Sequence, residues 1–150
     1  MIKTSVCVRS VGQTGKTGTI REFAKTLLQD YPDYKLVFSQ QADCPVPSQG
    51  DFRLVVKIKD KVIGIESKGD PGTFLKERLT ELAEKFNCDI IICASRTGGE
   101  TVYAVDNLKH FGFEIKVTSP YRTENINEIS LLNQTKGEHI LKLLQKLNCV

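Results

Sequence analysis

The chain has 150 residues, 40% of them hydrophobic and 26% charged, which is typical of one soluble folded domain. Its formal net charge of +3 neither requires nor excludes a nucleic-acid partner. No apolar run approaches the roughly 20 residues of a membrane span, and the N-terminal residues lack the apolar region of a secretory signal. The five cysteines form no CxxC pair. We therefore expect a single cytoplasmic domain over residues 1–150, without membrane contact and of undetermined oligomeric state.

A glycine-rich segment lies between the first predicted strand and the first predicted helix. Residues 6–8 (Val-Cys-Val) form the strand, and residues 10–17 read Ser-Val-Gly-Gln-Thr-Gly-Lys-Thr. Apolar residues then recur at helical spacing, at Ile20, Phe23, Ala24, Leu27 and Leu28. Glycines let backbone N–H groups turn towards an anion, and the helix presents its positive end to the same anion. The segment therefore predicts a phosphate-binding loop.

Each residue of this loop has an expected task. Lys16 would place a mobile charge on the outer phosphates, and the Thr17 hydroxyl would reach a magnesium ion. The ligand class that this chemistry indicates is a nucleoside triphosphate with Mg²⁺. The predicted binding residues are Ser10, Gly12, Gln13, Thr14, Gly15, Lys16, Thr17 and Gly18.

The next elements are a short strand, a long loop and a hairpin. Residues 36–38 form the strand, and residues 40–50, rich in Pro, Ser and Gly, form the loop. Residues 52–67 alternate as two strands around a Lys-Asp-Lys turn. Thr73 is expected to cap the next helix, whose apolar stripe consists of Leu75, Leu79, Leu82 and Phe86.

The second half of the chain continues the alternation of strands and helices. Residues 90–94 (Ile-Ile-Ile-Cys-Ala) are continuously apolar, as expected of a central strand covered on both faces. A helix carrying Val102, Val105 and Leu108 precedes a strand at residues 113–117, and residues 126–147 are predicted to be helical with a break near Lys136-Gly137. This order predicts a three-layer α/β/α sandwich whose mostly parallel sheet includes an antiparallel hairpin.

Charged residues follow several of the predicted strands. Ligands of an open α/β sheet gather beyond the carboxyl ends of its strands, so these residues are candidates to complete the site. Glu66 ends the hairpin and is the first candidate to hold the metal together with Thr17. Asp70, in a glycine-flanked turn, is the rival for the metal, and its other expected task is to orient water or substrate. Arg96 would stabilise transferring charge. The predicted catalytic residues are therefore Lys16, Asp70 and Arg96.

The loop resembles the Walker A segment of P-loop NTPases, with Ser10 in place of the usual first glycine. Residues 65–71 (Ile-Glu-Ser-Lys-Gly-Asp-Pro) and 93–97 (Cys-Ala-Ser-Arg-Thr) are similar to segments of small, poorly characterised bacterial and phage P-loop proteins. The resemblance implies binding of ATP or GTP with magnesium, and phosphoryl transfer or hydrolysis. The guanine-reading Asn-Lys-x-Asp segment of GTPases does not follow residues 90–94, which favours ATP. The second substrate stays undefined.

Two alternatives remain open at this stage. A nucleotide-binding module without catalysis would use the same loop. A second alternative is a metal-dependent nuclease, because Asp51 before the hairpin and Glu66-Ser67-Lys68 at its end resemble restriction-endonuclease-like enzymes. In those enzymes two carboxylates hold magnesium and a lysine assists the attacking water. That reading leaves the glycine-rich loop unexplained.

Overall fold

The computed structural model describes residues 2–12, 15–41 and 43–150, and within them the chain forms six strands and four α-helices. Two short 3₁₀ segments, Asn107–Phe111 and Ile126–Glu128, precede β6 and α4. In chain order the elements are β1 (Lys3–Arg9), α1 (Lys16–Asp30), β2 (Lys35–Ser39), β3 (Arg53–Ile58), β4 (Lys61–Glu66), α2 (Leu75–Glu84), β5 (Ile90–Ser95), α3 (Glu100–Asp106), β6 (Phe113–Thr118) and α4 (Ile129–Lys146).

The six strands form one mixed sheet with the order β2-β3-β4-β5-β1-β6. Strand β4 runs parallel to β5, and β1 runs parallel to both β5 and β6. Strands β2, β3 and β4 pair antiparallel, so the antiparallel part includes β2 as well as the predicted hairpin. The α/β class is confirmed. Because β4, β5, β1 and β6 are parallel, their carboxyl ends share one edge of the sheet, and the loop before α1 lies at this edge.

Helices cover both faces of the sheet. On one face, α1 and α4 bury apolar side chains against alternate residues of β1, such as Val6 and Val8. On the other face, α2 and α3 pack against the intervening Cys7 and against Ile91 and Cys93 of β5. The two-residue period of a strand sends successive side chains to opposite faces, which is why continuous apolar runs are needed at β1 and β5. None of the helices in the described segments has the length and apolar character needed to cross a bilayer.

Helix α4 is continuous through Gly137, so the predicted break near Lys136-Gly137 is wrong. Gly137 is buried where α4 crosses α1, and a Cβ atom there would lie 2.6 Å from the backbone nitrogen of Phe23. The glycine therefore permits close contact between two helices and does not end one. The sequence does not indicate this contact. Glycine usually weakens a helix, so a glycine within a helical pattern suggests a break in the helix and not a helix crossing.

Replacing Gly137 with alanine is expected to lower the free energy of unfolding by about 1–3 kcal/mol, because overpacking against rigid backbone outweighs the gain in helix propensity. Gly98→Ala is the matched control, since a Cβ at Gly98 would meet nothing within 4 Å. That control should change stability by no more than about 0.5 kcal/mol. Urea denaturation of both variants checks the expectation, and equal stabilities would contradict the described helix crossing.

Helix α2 starts after Phe74, and Thr73 does not cap it as predicted. The Thr73 hydroxyl instead donates to the carbonyl oxygen of Asp70 at 2.6 Å and accepts from Nη2 of Arg78 at 2.8 Å. These bonds fold residues 70–73 into a turn at the carboxyl edge of the sheet. Thr73 consequently fixes the position of Asp70, one of the predicted catalytic residues.

Candidate functional site

Strand β1 ends at Arg9 at the carboxyl edge of the sheet, and α1 begins at Lys16. The backbone N–H of Ser10 donates to the carbonyl oxygen of Ser95 at 3.2 Å, which ties the start of the segment between them to the end of β5. Gly15 has φ +89°, a left-handed conformation that glycine adopts without steric cost, and Lys16 is the first helical residue. The predicted binding residues Gln13 and Thr14 lie outside the described residues. Gly15 therefore leads directly into the N-terminus of α1.

Lys16 is buried and turns back into the loop. Its Nζ atom donates to the carbonyl oxygens of Ser10 at 3.1 Å and Val11 at 2.9 Å. Burial lowers the pKa of Lys16, and the nearby Arg96 guanidinium lowers it further, whereas the carboxylate of Asp70 raises it. The ammonium group therefore lies between the loop carbonyls and the acidic residues at the sheet edge.

Thr17 and Asp51 are joined by the interaction that defines the site. Thr17 Oγ1 donates to Asp51 Oδ1 at 2.8 Å, and Ser67 Oγ donates to the same oxygen at 3.1 Å. Ser67 is held in place because its hydroxyl accepts from the N–H of Phe52 at 2.8 Å. The antiparallel pairing of β3 and β4 therefore brings Asp51, just before β3, and Ser67, just after β4, to the first turn of α1.

These groups surround a cavity of about 210 Å³. Its lining includes the first turn of α1 on one side and the residues that follow β4 on the other, among them Gly15, Lys16, Thr17, Asp51, Ser67 and Asp70. The cavity is smaller than the roughly 300–1,000 Å³ typical of a pocket that encloses a whole small-molecule ligand.

Asp70 and Arg96 form an ion pair beside the glycine-rich loop. Arg96 Nη2 lies 3.3 Å from Asp70 Oδ1, and both side chains are about half exposed. The guanidinium also covers Gly12, since a Cβ on Gly12 would lie 2.8 Å from Arg96 Nη2. Arg96 Nε is buried and has no hydrogen-bond partner within the described segments. The predicted catalytic residues Lys16, Asp70 and Arg96 therefore meet around one loop.

Glu66 does not face this cavity. Its Oε1 accepts from Arg53 Nε at 2.9 Å, and its Oε2 pairs with Arg78 Nη1 at 3.0 Å. Arg53 also pairs with Glu81 of α2. Both Glu66 oxygens are thus engaged by buried or half-buried arginines that join β3 and β4 to α2. The predicted metal role of Glu66 stays an untested prediction, and the geometry favours Asp51 for this task.

The alternation of side chains along β4 also bears on the nuclease alternative. Ser67 faces Asp51, and the neighbouring Glu66 faces α2 on the other side of the sheet. Asp51 and Glu66 therefore do not converge on one metal position, and Lys68 is exposed. In the described part of the chain, no group of three or more His, Cys, Asp or Glu side chains could hold a metal by itself.

Asn133 of α4 is a residue that the sequence analysis missed. Its Oδ1 accepts from Thr19 Oγ1 at 3.4 Å, and a Cβ on Gly18 would lie 2.4 Å from its Nδ2. The predicted binding residue Gly18 therefore allows Asn133 to approach the first turn of α1. The one signal in the sequence is a polar residue after Leu131-Leu132 in an apolar helix, which is too common to have identified it.

Comparison of the chain with known protein families, with characterised proteins and with solved structures gives no match. The functional argument therefore depends on the geometry of the site.

Proposed function

We propose that the chain is a P-loop nucleotide-binding domain that binds a purine nucleoside triphosphate, with ATP favoured, together with Mg²⁺. The observation that carries the proposal is the hydrogen bond between Thr17 and Asp51 beside the N-terminus of α1. A hydroxyl and a carboxylate are hard oxygen ligands, the type that Mg²⁺ prefers. Asp51 therefore replaces Glu66 as the carboxylate that we assign to the metal and its water shell.

The phosphate groups of the ligand would occupy the cavity of about 210 Å³. The first turn of α1 lines this space, and the helix dipole favours negative charge there. Lys16 already lies at the cavity, and a phosphate oxygen would compete with the loop carbonyls for its ammonium group. Because burial lowers the pKa of Lys16, a bound anion would restore stability to the charged form.

Phosphoryl transfer or hydrolysis is the reaction that we assign to the site. We assign to Asp70 the task of orienting the attacking hydroxyl or water and accepting its proton, and to Arg96, 3.3 Å from Asp70, that of stabilising charge on the transferring group. The new bond joins the attacking oxygen to the terminal phosphorus, and the bond to the bridging oxygen breaks. Bound Mg²⁺ would supply neutralisation of phosphate charge.

A thermal-shift panel of ATP, GTP, CTP and UTP, each with and without Mg²⁺, tests the proposal. A ligand present at a hundred times its Kd stabilises the folded chain by about 2.7 kcal/mol. We expect the largest shift with ATP and Mg²⁺. No shift with any nucleoside triphosphate would overturn the proposal, and phosphate release measured in parallel separates turnover from binding alone.

Asp51→Asn is expected to remove most of the Mg²⁺ dependence of ATP binding. The amide can still accept from Thr17 and Ser67, so the fold should persist, but it is a poorer ligand for a hard cation. Titration calorimetry of ATP with and without Mg²⁺ measures the ratio of the two affinities. Glu114→Gln, at an exposed ion pair on β6, is the control and should leave that ratio unchanged. An unchanged ratio in Asp51→Asn would contradict the metal assignment.

A further inference from the structure

A second cavity, of about 690 Å³, adjoins the phosphate cavity and shares Gly18 with it. It lies between the loop that precedes β3 and the beginning of α4, above the outer face of α1. Its volume falls in the roughly 300–1,000 Å³ range of ligand pockets, unlike that of the phosphate cavity. The shared residue Gly18 therefore places the second space next to the first turn of α1, where the phosphates of the ligand would lie.

The walls of the second cavity have the composition that a planar heterocycle requires. Val46 and Pro47 line one side, and Ile126 and Ile129 line the other. Ile126 is 78% exposed and Ile129 is 44% exposed, although both are large apolar side chains. Two apolar walls would bury the faces of a flat ring, and this burial would remove both isoleucines from water.

Polar groups lie between these apolar walls. Ser130 and Asn133 line the cavity, and the exposed Ser130 hydroxyl can donate to or accept from a ligand. Asn133 Oδ1 accepts from Thr19, and its Nδ2 lies against Gly18, the residue that the two cavities share. A side-chain amide can donate to and accept from the edge of a purine base at the same time. The cations of the cavity are already engaged, since Arg21 bonds to backbone carbonyls and Lys25 pairs with Glu22.

The loop that forms one wall of the second cavity leads directly into Asp51, the carboxylate that we assign to the metal. Arg21 Nε donates to the carbonyl oxygen of Pro47 at 2.9 Å, and its Nη2 donates to that of Gly50 at 2.7 Å. Asp51 is the next residue in the chain. Arg21 therefore holds the wall of the second cavity and the start of β3 in a fixed relation to α1.

We propose that the second cavity is the subsite for the purine base, with Ile126 and Ile129 against one face of the ring and Ser130 and Asn133 at its edge. The inference rests on the proposed function, because it places the rest of the same nucleotide. It also assigns the base preference to side chains at the beginning of α4, which lie far in sequence from the glycine-rich loop.

Calorimetric titration with ATP and with inorganic tripolyphosphate, both with Mg²⁺, tests the base subsite separately from the phosphate cavity. The wild-type chain is expected to bind ATP at least about tenfold more tightly than tripolyphosphate. In the double variant Ile126→Ala/Ile129→Ala, ATP affinity should fall about tenfold while tripolyphosphate affinity stays within about twofold. The matched control is Leu131→Ala, an exposed leucine of α4 that does not line the cavity.

The outcomes distinguish the two proposals. Equal affinity for ATP and tripolyphosphate in the wild-type chain would overturn the base subsite and leave the phosphate site standing. Unchanged ATP affinity in the double isoleucine variant, or an equal loss in Leu131→Ala, would also overturn it. Failure of both ATP and tripolyphosphate to bind would overturn the proposed phosphate site and this inference with it.

Discussion

Replacing Lys16 with alanine is expected to weaken ATP binding by about 10- to 150-fold. The change removes a charge-assisted hydrogen bond to phosphate, and such bonds contribute about 1.5–3 kcal/mol. Lys16 is buried and its Nζ reaches two carbonyl oxygens of the loop, so the ammonium group is already positioned at the cavity. Titration calorimetry at fixed Mg²⁺ measures the loss.

Two further variants show whether that loss comes from the charge at this position. Lys116→Ala removes a partly exposed lysine of β6 that pairs with Glu114 and lines neither cavity, and it should leave ATP affinity within about twofold of wild type. Lys16→Met keeps the aliphatic part of the side chain and should match Lys16→Ala in binding. Retained affinity in both Lys16 variants would rule out the proposed role of the loop.

Glu66→Ala is expected to lower the free energy of unfolding by about 3–5 kcal/mol, since removing one partner of a buried ion pair leaves uncompensated charge behind. Glu66 is buried and forms ion pairs with both Arg53 and Arg78. Urea denaturation provides the measurement. Glu114→Ala, which breaks the exposed pair with Lys116, should cost no more than about 1 kcal/mol.

The same experiment separates the two possible roles of Glu66. If Glu66 is structural, its substitution lowers the free energy of unfolding of the protein, while the fraction that still folds keeps its Mg²⁺-dependent ATP binding. A metal ligand would show the opposite pattern, with little loss of stability and a loss of the Mg²⁺ dependence. Glu66→Gln keeps the shape of the side chain, so it allows binding to be measured if Glu66→Ala fails to fold.

The fold could be predicted from sequence where apolar patterning determines it. The continuous run at β5 and the helical stripe of α1 led to the correct elements, and the alternation of strands and helices led to the α/β class. The prediction for α4 failed at Gly137 because the reason for a glycine there lies on another helix. The contact with Phe23 joins residues that are far apart in sequence. Local propensity contains no information about such contacts.

The site could be predicted in part, because chain order identifies the ends of strands but not the faces of the sheet. Lys16, Asp70 and Arg96 were each expected at the carboxyl edge, and the structure brings them together. Glu66 and Ser67 were expected at the same edge, yet their side chains point to opposite faces. Asp51 had been considered only for the nuclease alternative, because its contact with Thr17 depends on the pairing of β3 with β4.

The most direct test of the account is to map the amide NMR shifts of the labelled chain as Mg²⁺ and a non-hydrolysable ATP analogue are added. The account predicts that the largest changes fall on residues 15–18 at the start of α1 and on Asp51 and Asp70, which line the phosphate cavity. Changes confined to other parts of the surface, or no changes at millimolar analogue, would contradict it.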